Sequence, residues 1–316
     1  MSKLQFPSLK AATVHRSMID KGPGTVFSKL EKALRVPPDE WDDLFAVDPL
    51  PTQWQSVGLC KTMGADFPLV QSDAITLAVQ INERMLPAKV RDEALQKVVA
   101  SIQEREARRV SKKEYRELRD EVETELLPKA FIKRSVTLVT FTRSGHMITW
   151  TSSARRFDVV FGVVLAALSA VGINASAQDL FQEGFEFSRV LTNVVTERDL
   201  VLIPGTSGVF TEPGTGDGEK LVRVKNVPLD EIQGMVQRGY SPRALAMGDG
   251  ESCAFTLNTS FVFSKIIVEG ATDDAGDRED RIGAFESSLF LTTTALRDSV
   301  KHFVTAYGKN EDGDDL

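Results

Sequence analysis

One segment decides how this chain is organised, and it reads RMLPAKVRDEALQKVVASIQEREARRVSKKEYRELRDEVETELLPKAF from Arg84 to Phe131. Between Pro87 and Pro128 it contains neither glycine nor proline, so no residue there breaks a helix. Pro87 suits the first position of a helix, and Ser111 with Glu114 forms an S-x-x-E capping box that starts another. The segment therefore predicts two consecutive helices that are joined just before Ser111.

Both predicted helices have an apolar face at helical spacing. The apolar residues are Leu95, Val98, Val99 and Ile102 in the first helix and Tyr115, Leu118, Val122 and Leu126 in the second. Most of the remaining positions are charged or polar. Residues 87–130 are therefore predicted to form a long charged helical pair, which we call the arm.

Outside the arm, strand-like alternation and helical spacing are separated by turn residues. Strands are predicted near Ala11–Val14, over Ala74–Ile81, over Val136–Arg143 and His146–Ser152 with a hairpin at Ser144-Gly145, on both sides of Gly214–Gly218, and over 244–247, 253–257 and 261–268. Helices are predicted over 26–34, from Asp39, over 157–171 and over 229–238, and Phe285–Tyr307 is predicted to be a strand followed by a helix. Helices and strands do not alternate strictly, so the predicted fold class is α+β with antiparallel sheets.

This pattern divides the 316 residues into four predicted parts. They are an N-terminal α+β segment at 1–86, the arm at 87–130, a C-terminal α+β region at 131–307, and a disordered acidic tail at 308–316. The net charge of −7 is concentrated at the C-terminal end, where residues 269–316 hold 12 acidic and 5 basic side chains. Acidic and basic residues cancel over the rest of the chain.

Composition argues against several classes of protein. The longest apolar run, Phe157–Ile173, contains Asp158 and is shorter than the roughly 20 residues that cross a bilayer, so a buried helix is expected. The first residues show no signal-peptide pattern, which predicts a cytoplasmic protein with no membrane partner. Cys60 and Cys253 lack metal-ligand spacing, and the three histidines stand in no catalytic motif. No enzyme, cofactor or metal is therefore expected.

Two further motifs have a plain structural explanation. The sequence GTGDGEK at 214–220 lacks the spacing of a phosphate-binding loop and is interpreted as a hairpin turn. The acidic stretch at 273–280 lacks the closing glutamate of a calcium loop, so metal binding is not predicted there.

Basic residues concentrate in the middle of the arm. They are Arg105, Arg108, Arg109, Lys112, Lys113, Arg116 and Arg119, and the acids of the same stretch are Glu104, Glu106, Glu114 and Glu117. Such a cluster can follow the phosphates of a nucleic acid. The plainer alternative is a solvated helix pair held by salt bridges between residues four apart, such as Glu104 and Arg108.

The segment from Arg84 to Phe131 resembles the signature region of the recombination-associated RdgC family, with two charged helices and a closing LLP-[RK]-AF. A second block, DREDRIGAFESSLFLTTTAL at 277–296, is similar to the acidic loop and last strand of that family. The resemblance implies a horseshoe-shaped subunit, a ring-like homodimer around double-stranded DNA, and binding without sequence discrimination. It further implies association with the nucleoid and a role in limiting a RecA-type recombinase.

The resemblance also assigns residues. The predicted DNA contacts are Arg105, Arg108, Arg109, Lys112, Lys113, Arg116, Lys129, Lys133 and Arg134. Phe131 matches a hydrophobic finger of one dimer contact, together with Leu127 and Pro128. The opposite contact matches Arg223, Lys225 and Asn226, although this loop is shorter and less basic than in the family.

Two alternatives stay open at the level of sequence. The first is a metal-dependent DNA nuclease, for which the chain offers no carboxylate–lysine motif that can be placed. The second is a protein-interaction scaffold in which the arm docks another protein and DNA is not bound.

Overall fold

A computed structural model describes residues 6–19, 25–34, 39–60, 68–181, 185–197, 201–214, 220–271 and 278–307. Twelve strands in these ranges form one sheet in which every strand pair is antiparallel. The strands are β1 (Ala11–Ile19), β2 (Gln55–Leu59), β3 (Leu69–Val70), β4 (Ala74–Met85), β5 (Phe131–Thr142), β6 (His146–Thr149), β7 (Ala175–Gln178), β8 (Ile203–Thr211), β9 (Leu221–Val224), β10 (Ser241–Gly248), β11 (Cys253–Asn258) and β12 (Val262–Val268).

The order of strands across the sheet is β2-β4-β5-β6-β1-β12-β11-β10-β8-β9, with β3 paired to β4 and β7 paired to β1. β1 therefore lies between β6 and β12, so strands that precede and follow the arm in sequence share one sheet. The predicted class, α+β with antiparallel pairing, is confirmed.

Seven α-helices occur in the described ranges. They are α1 (Val26–Ala33), α2 (Ala88–Glu106), α3 (Lys112–Leu126), α4 (Ala154–Ala170), α5 (Phe187–Glu197), α6 (Leu229–Gln237) and α7 (Arg278–Tyr307), with short 3-10 helices at Asp39–Leu44 and Leu127–Lys129. None of the helices in the described ranges is long and apolar enough to cross a membrane.

Helices cover both faces of the sheet and bury two separate cores. Side chains alternate between the faces of a strand, and in β4 Leu77 joins the core under α1 and α4 whereas Ala78 joins the core that includes α5, α6 and α7. The apolar run predicted as a buried helix is α4, which contacts β2, β4 and β7. Trp41 fixes it by donating a hydrogen bond from Nε1 to the Ala167 carbonyl oxygen, at 2.8 Å.

The arm is an insertion between two neighbouring strands. β4 and β5 are paired without a break from Ala74 opposite Thr142 to Met85 opposite Phe131. α2 begins three residues after Met85, and α3 with its 3-10 turn ends just before Phe131. The arm therefore leaves the sheet and returns to it at the same end of one strand pair.

The predicted arrangement of the arm is confirmed. Ala107 ends α2 in the left-handed conformation, with φ 51°, and Ser111 caps α3 with both hydrogen bonds of the capping box formed to Glu114. Leu95 and Val122 are buried between the two helices and their surroundings. Tyr115, which the predicted apolar stripe includes, is 44% exposed, so that stripe begins one turn later.

The prediction of a strand at Phe285 is wrong, because residues 278–307 form the single helix α7. The threonines at 292–294 are β-branched and favour β-structure, but their hydroxyl groups can also bond to the preceding helical turn. Thr292 donates to the Ser288 carbonyl oxygen at 2.7 Å, and Ser299 donates to that of Ala295 at 2.9 Å. The family-like block at 277–296 is correspondingly helical in its described part and is not the predicted last strand.

The other predicted elements agree with the structure. α1 begins after Thr25, the β5–β6 hairpin turns at Gly145 with φ +86°, and α6 and the pairs β8–β9, β10–β11 and β11–β12 are present. The predicted helix stop at Pro37-Pro38, most of the glycine-rich turn and of the acidic stretch, and the tail at 308–316 lie outside the described residues.

Candidate nucleic-acid interface

An exposed apolar pair marks the end of the β4–β5 ladder, which we call the arm root (residues 82–86 and 127–134). Met85 and Phe131 are direct cross-strand partners, so their side chains point to the same face. Phe131 is 83% exposed and Met85 49%. Leu127 is buried, whereas Pro128 is exposed, so among these predicted contact residues Phe131 offers the largest apolar surface.

On the other face of the arm root, polar side chains contact the loop 47–49. Asn82 donates from Nδ2 to the Val47 carbonyl oxygen at 2.8 Å, and Arg134 holds both carboxylate oxygens of Asp48 at 2.9 Å. Arg84 donates to the Pro49 carbonyl oxygen at 2.9 Å and to the carbonyl oxygens of the 3-10 turn. Of the predicted DNA contacts, Arg134 is therefore already paired within the subunit.

Arg108 is also committed to the subunit, at the joint between α2 and α3 (residues 107–111). Its guanidinium donates to Glu106 at 2.7 Å and to both carboxylate oxygens of Glu114 at 2.6 and 2.7 Å. These hydrogen bonds lower the pKa of both glutamates and raise the pKa of Arg108. Arg108 closes the turn between the helices through Glu106 and Glu114, so the predicted Glu104–Arg108 pair is wrong. A pair four residues apart does occur in the cluster between Lys113 and Glu117.

Three predicted contacts have a single exposed acidic neighbour. Arg105 bonds to Glu106 at 3.2 Å, and two lysines lie beside glutamates four residues away at 3.5–3.8 Å. These lysines are Lys113 and Lys129, whose side chains are 89% and 69% exposed. Exposed pairs of this kind contribute about 0–1 kcal/mol, so exchanging the carboxylate for a phosphate costs little.

Four predicted contacts have no carboxylate within 4 Å in the described part of the chain, and all four are exposed. They are Arg109, Lys112, Arg116 and Lys133. The first three follow one another from the joint into the first turns of α3. The joint is therefore where uncompensated positive charge accumulates, although the arm as a whole holds 11 basic and 10 acidic residues.

Sequence reasoning missed two residues of this region. Lys97 in α2 is exposed and, among the described residues, has no ion-pair partner, so it belongs with the free cations. Arg84 is buried at 8% exposure and connects three chain segments. No local pattern indicates either residue, because Glu93 lies four residues before Lys97 and that spacing predicts an ion pair, and because the partners of Arg84 lie more than 30 residues away.

The second predicted subunit contact lies at the opposite edge of the sheet. Arg223 belongs to the edge strand β9, and Lys225 and Asn226 follow it directly. All three are exposed. Asn226 adopts a left-handed conformation with φ 53° and donates its backbone N–H to the hydroxyl of Ser207 at 3.3 Å. The loop is short but well defined by these contacts.

The groups that commonly carry catalysis lie elsewhere. Burial raises the pKa of the Cys60 thiol to about 12 and that of Cys253 to about 11, which makes both poor nucleophiles. Burial also lowers the pKa of His146, and the nearby charges of Arg16 and Arg297 lower it further. Within the described ranges, no group of three or more histidine, cysteine, aspartate or glutamate side chains could hold a metal.

Fold and site together define an α+β protein with one large antiparallel sheet and a charged helical arm inserted between two of its strands. A family model described as "Putative exonuclease, RdgC" matches residues 44–310. The chain belongs to the RdgC family, and the resemblance seen in the sequence is confirmed.

Named relatives support the same assignment. The chain is 27% identical over 268 residues to the recombination-associated protein RdgC of Neisseria meningitidis serogroup C / serotype 2a, covering 82% of this chain and 87% of that protein. It is 25% identical over 256 residues to the recombination-associated protein RdgC of Pseudomonas syringae pv. tomato, covering 78% and 82%. The match to Pseudomonas entomophila RdgC is 25% over 258 residues, with the same coverage.

Proposed function

We propose that this protein binds double-stranded DNA without sequence discrimination, through the α2–α3 joint and the arm root. The observation that carries the proposal is a group of exposed cations that have no carboxylate within 4 Å in the described residues, namely Arg109, Lys112 and Arg116, with Lys133 at the root. Cations that are not held in an ion pair bind phosphate without first giving up a partner, and phosphate contacts supply most of nonspecific affinity. Contacts to phosphate carry no sequence information directly, so binding through them does not select a base sequence.

We further propose that two copies form a ring-like homodimer from horseshoe-shaped subunits. A ring requires two contact regions per subunit, one toward each end. Phe131 stands on the third strand from one edge of the sheet, and Arg223–Asn226 stand on and beside the strand at the other edge. An exposed phenylalanine is an expensive group to leave in water, and burying it against a second copy removes that cost.

The proposed biological role is to limit recombination by a RecA-type recombinase at the nucleoid. The relatives are named recombination-associated proteins, which supports this role. A protein that occupies duplex DNA competes with a recombinase for the same substrate, and such competition needs neither an active site nor a cofactor. We therefore propose a cytoplasmic DNA-binding protein that is not an enzyme.

The test measures affinity for several unrelated duplexes over a range of salt concentrations, together with the solution mass with and without DNA. We expect the same dissociation constant for each sequence, a steep decrease in affinity with salt, and a mass of two chains. Affinity that is independent of salt, or that differs strongly between sequences, would falsify the proposal.

A nuclease is the second candidate, because the matching family is described as an exonuclease. Incubation of the protein with end-labelled duplex and Mg²⁺ or Mn²⁺ separates the two functions. Intact DNA supports the binding protein. Metal-dependent cleavage that a single carboxylate substitution abolishes would replace the proposal by an enzyme.

A further inference from the structure

Arg84 is a buried cation whose partners in the described residues are carbonyl groups. Its guanidinium donates from Nη1 to the carbonyl oxygens of Leu127 and Pro128, at 3.0 and 3.2 Å, and from Nη2 to that of Pro49, at 2.9 Å. Nε is buried and has no hydrogen-bond partner among the residues that the structure describes. Burying a guanidinium without a carboxylate is costly, so this arrangement needs a reason beyond filling space.

Two of the three carbonyl groups that Arg84 contacts, those of Leu127 and Pro128, belong to the C-terminal end of the arm. The last carbonyls of a helix lack intrahelical donors and carry the negative end of the helix dipole. Leu127 and Pro128 form the 3-10 turn that follows α3, and Pro128 cannot supply an N–H of its own. A cation at this place satisfies those oxygens and holds the returning chain against β4.

The same turn determines where Phe131 begins β5. The Ala130 N–H donates to the Leu127 carbonyl oxygen at 3.1 Å, and Phe131 follows directly, paired with Met85 beside Arg84. The third bond of Arg84 joins the loop 47–49 to this point. One side chain thereby connects the loop, β4 and the end of the arm. It bonds to the same Leu127 carbonyl oxygen as the Ala130 N–H, and Ala130 directly precedes the exposed Phe131.

We propose that Arg84 is a positioning residue for the subunit contact, because it fixes the 3-10 turn and with it the direction in which Phe131 projects. This inference rests on the proposed function, in which Phe131 contacts a second copy of the chain. Arginine suits the task because its planar fork reaches two separate segments at once. A lysine keeps the charge but offers a single ammonium point, which cannot span both.

The experiment is a double-mutant cycle in the full-length protein, with the dimer dissociation constant measured by analytical ultracentrifugation. Phe131→Ala is expected to weaken the dimer by at least about 30-fold, as for a central apolar contact. Arg84→Lys is expected to weaken it about tenfold. The double variant is expected to be no weaker than Phe131→Ala alone, because Arg84 acts through Phe131.

Arg143→Lys is the matched control. Arg143 also links separate segments, with bonds to the Ser72 carbonyl oxygen and to Glu31, but it follows the other end of β5, about 40 Å from Phe131. Arg143→Lys should change the dimer dissociation constant only slightly. In the double variant with Phe131→Ala, the two fold-changes should multiply. If Arg84→Lys behaves in the same multiplicative way, or leaves the dimer unchanged, Arg84 is not a positioning residue.

A second measurement does not depend on dimerisation. In the Phe131→Ala background, Arg84→Lys should speed hydrogen exchange of the Ala130 amide about tenfold and leave the amides in the centre of β5 unchanged. Unchanged exchange at Ala130 overturns the inference. If Phe131→Ala alone does not affect the dimer, the proposed subunit contact itself is wrong, which the cycle distinguishes from a failure limited to Arg84.

Discussion

The α2–α3 joint and the arm root both carry several cations, but they use them in different ways. At the root, Arg84 and Arg134 are held by the subunit's own oxygens, whereas Lys133 has no carboxylate within 4 Å in the described part of the chain. At the joint, Arg108 closes the turn, and Arg109, Lys112 and Arg116 have no acidic partner in the described residues. The number of basic residues in a region therefore does not measure its capacity to bind phosphate. What matters is how many of them lack an internal partner.

The largest effect should come from removing the free cations of the joint. Three phosphate contacts account for a salt slope of about 2.7 and for affinity on the order of 100-fold near physiological salt. We expect a triple variant with Arg109→Gln, Lys112→Gln and Arg116→Gln to lose both, in fluorescence anisotropy titrations with duplex DNA. The matched control replaces Arg155, Arg238 and Lys301, which are exposed cations outside the arm. An equal loss in the control would mean that overall charge, and not the joint, determines affinity.

Lys133 and Arg134, which are neighbours at the arm root, test whether an internal partner reduces the contribution of a cation to DNA binding. Among the described residues Lys133 has no ion-pair partner, whereas Arg134 is held by Asp48, and both side chains are exposed. Lys133→Gln should reduce affinity about fivefold and the salt slope by about 0.9, whereas Arg134→Gln should reduce both by less. Arg134→Gln should instead cost about 0.2–1 kcal/mol of the free energy of unfolding, measured in urea. Equal effects on DNA binding would show that the internal partner does not restrain Arg134.

The stability of the α2–α3 joint depends on the capping box that Ser111 forms with Glu114. Ser111→Ala removes the acceptor for the Glu114 N–H and should lower the free energy of unfolding by about 1 kcal/mol. Trypsin cleavage near the joint should become faster in the same variant. Ser101→Ala, at an exposed position inside α2, serves as the control and should be neutral or slightly stabilising. Equal destabilisation by both substitutions would contradict a capping role.

The smallest expected effect is a local pH dependence at the joint. Hydrogen bonds from Arg108 lower the folded pKa of Glu114 below its ordinary value of 4.5. The contribution of these hydrogen bonds to the free energy of unfolding is therefore complete above pH 4.5, and it is lost as the pH falls through the lower folded pKa of Glu114. The Ser111 amide, which donates to Glu114, should shift in NMR spectra as the pH falls below that ordinary value. In Glu114→Gln this shift should disappear, and its persistence would assign the transition to another group.

The boundaries of the arm could be predicted because they depend on local signals. Pro87, Ser111 with Glu114, and Pro128 each act within one helical turn, and the structure places the helix ends beside them. The hairpin at Gly145 follows from equally local chemistry. Resemblance to the RdgC family was likewise visible in the sequence, because its signature lies in this same continuous segment.

Interactions between distant residues could not be predicted. The partners of Arg84 and Arg134 lie 35 to 86 residues away, so the sequence pattern marks Arg134 as a phosphate contact and does not mark Arg84 at all. In α7 the local signal was misleading, because β-branched threonines favour strands in isolation. Packing of Leu289, Leu296 and Phe303 into the core, at helical spacing, outweighs that preference.

The insertion of the arm between β4 and β5 has a consequence for the evolution of this protein. Because Met85 and Phe131 are direct cross-strand partners, the chain leaves and rejoins the sheet at points only about 5 Å apart. A segment attached in this way can be lengthened, shortened or exchanged without shifting the register of the strands beside it. The sheet can thus persist unaltered while the appendage it presents acquires a different reach or a different surface chemistry.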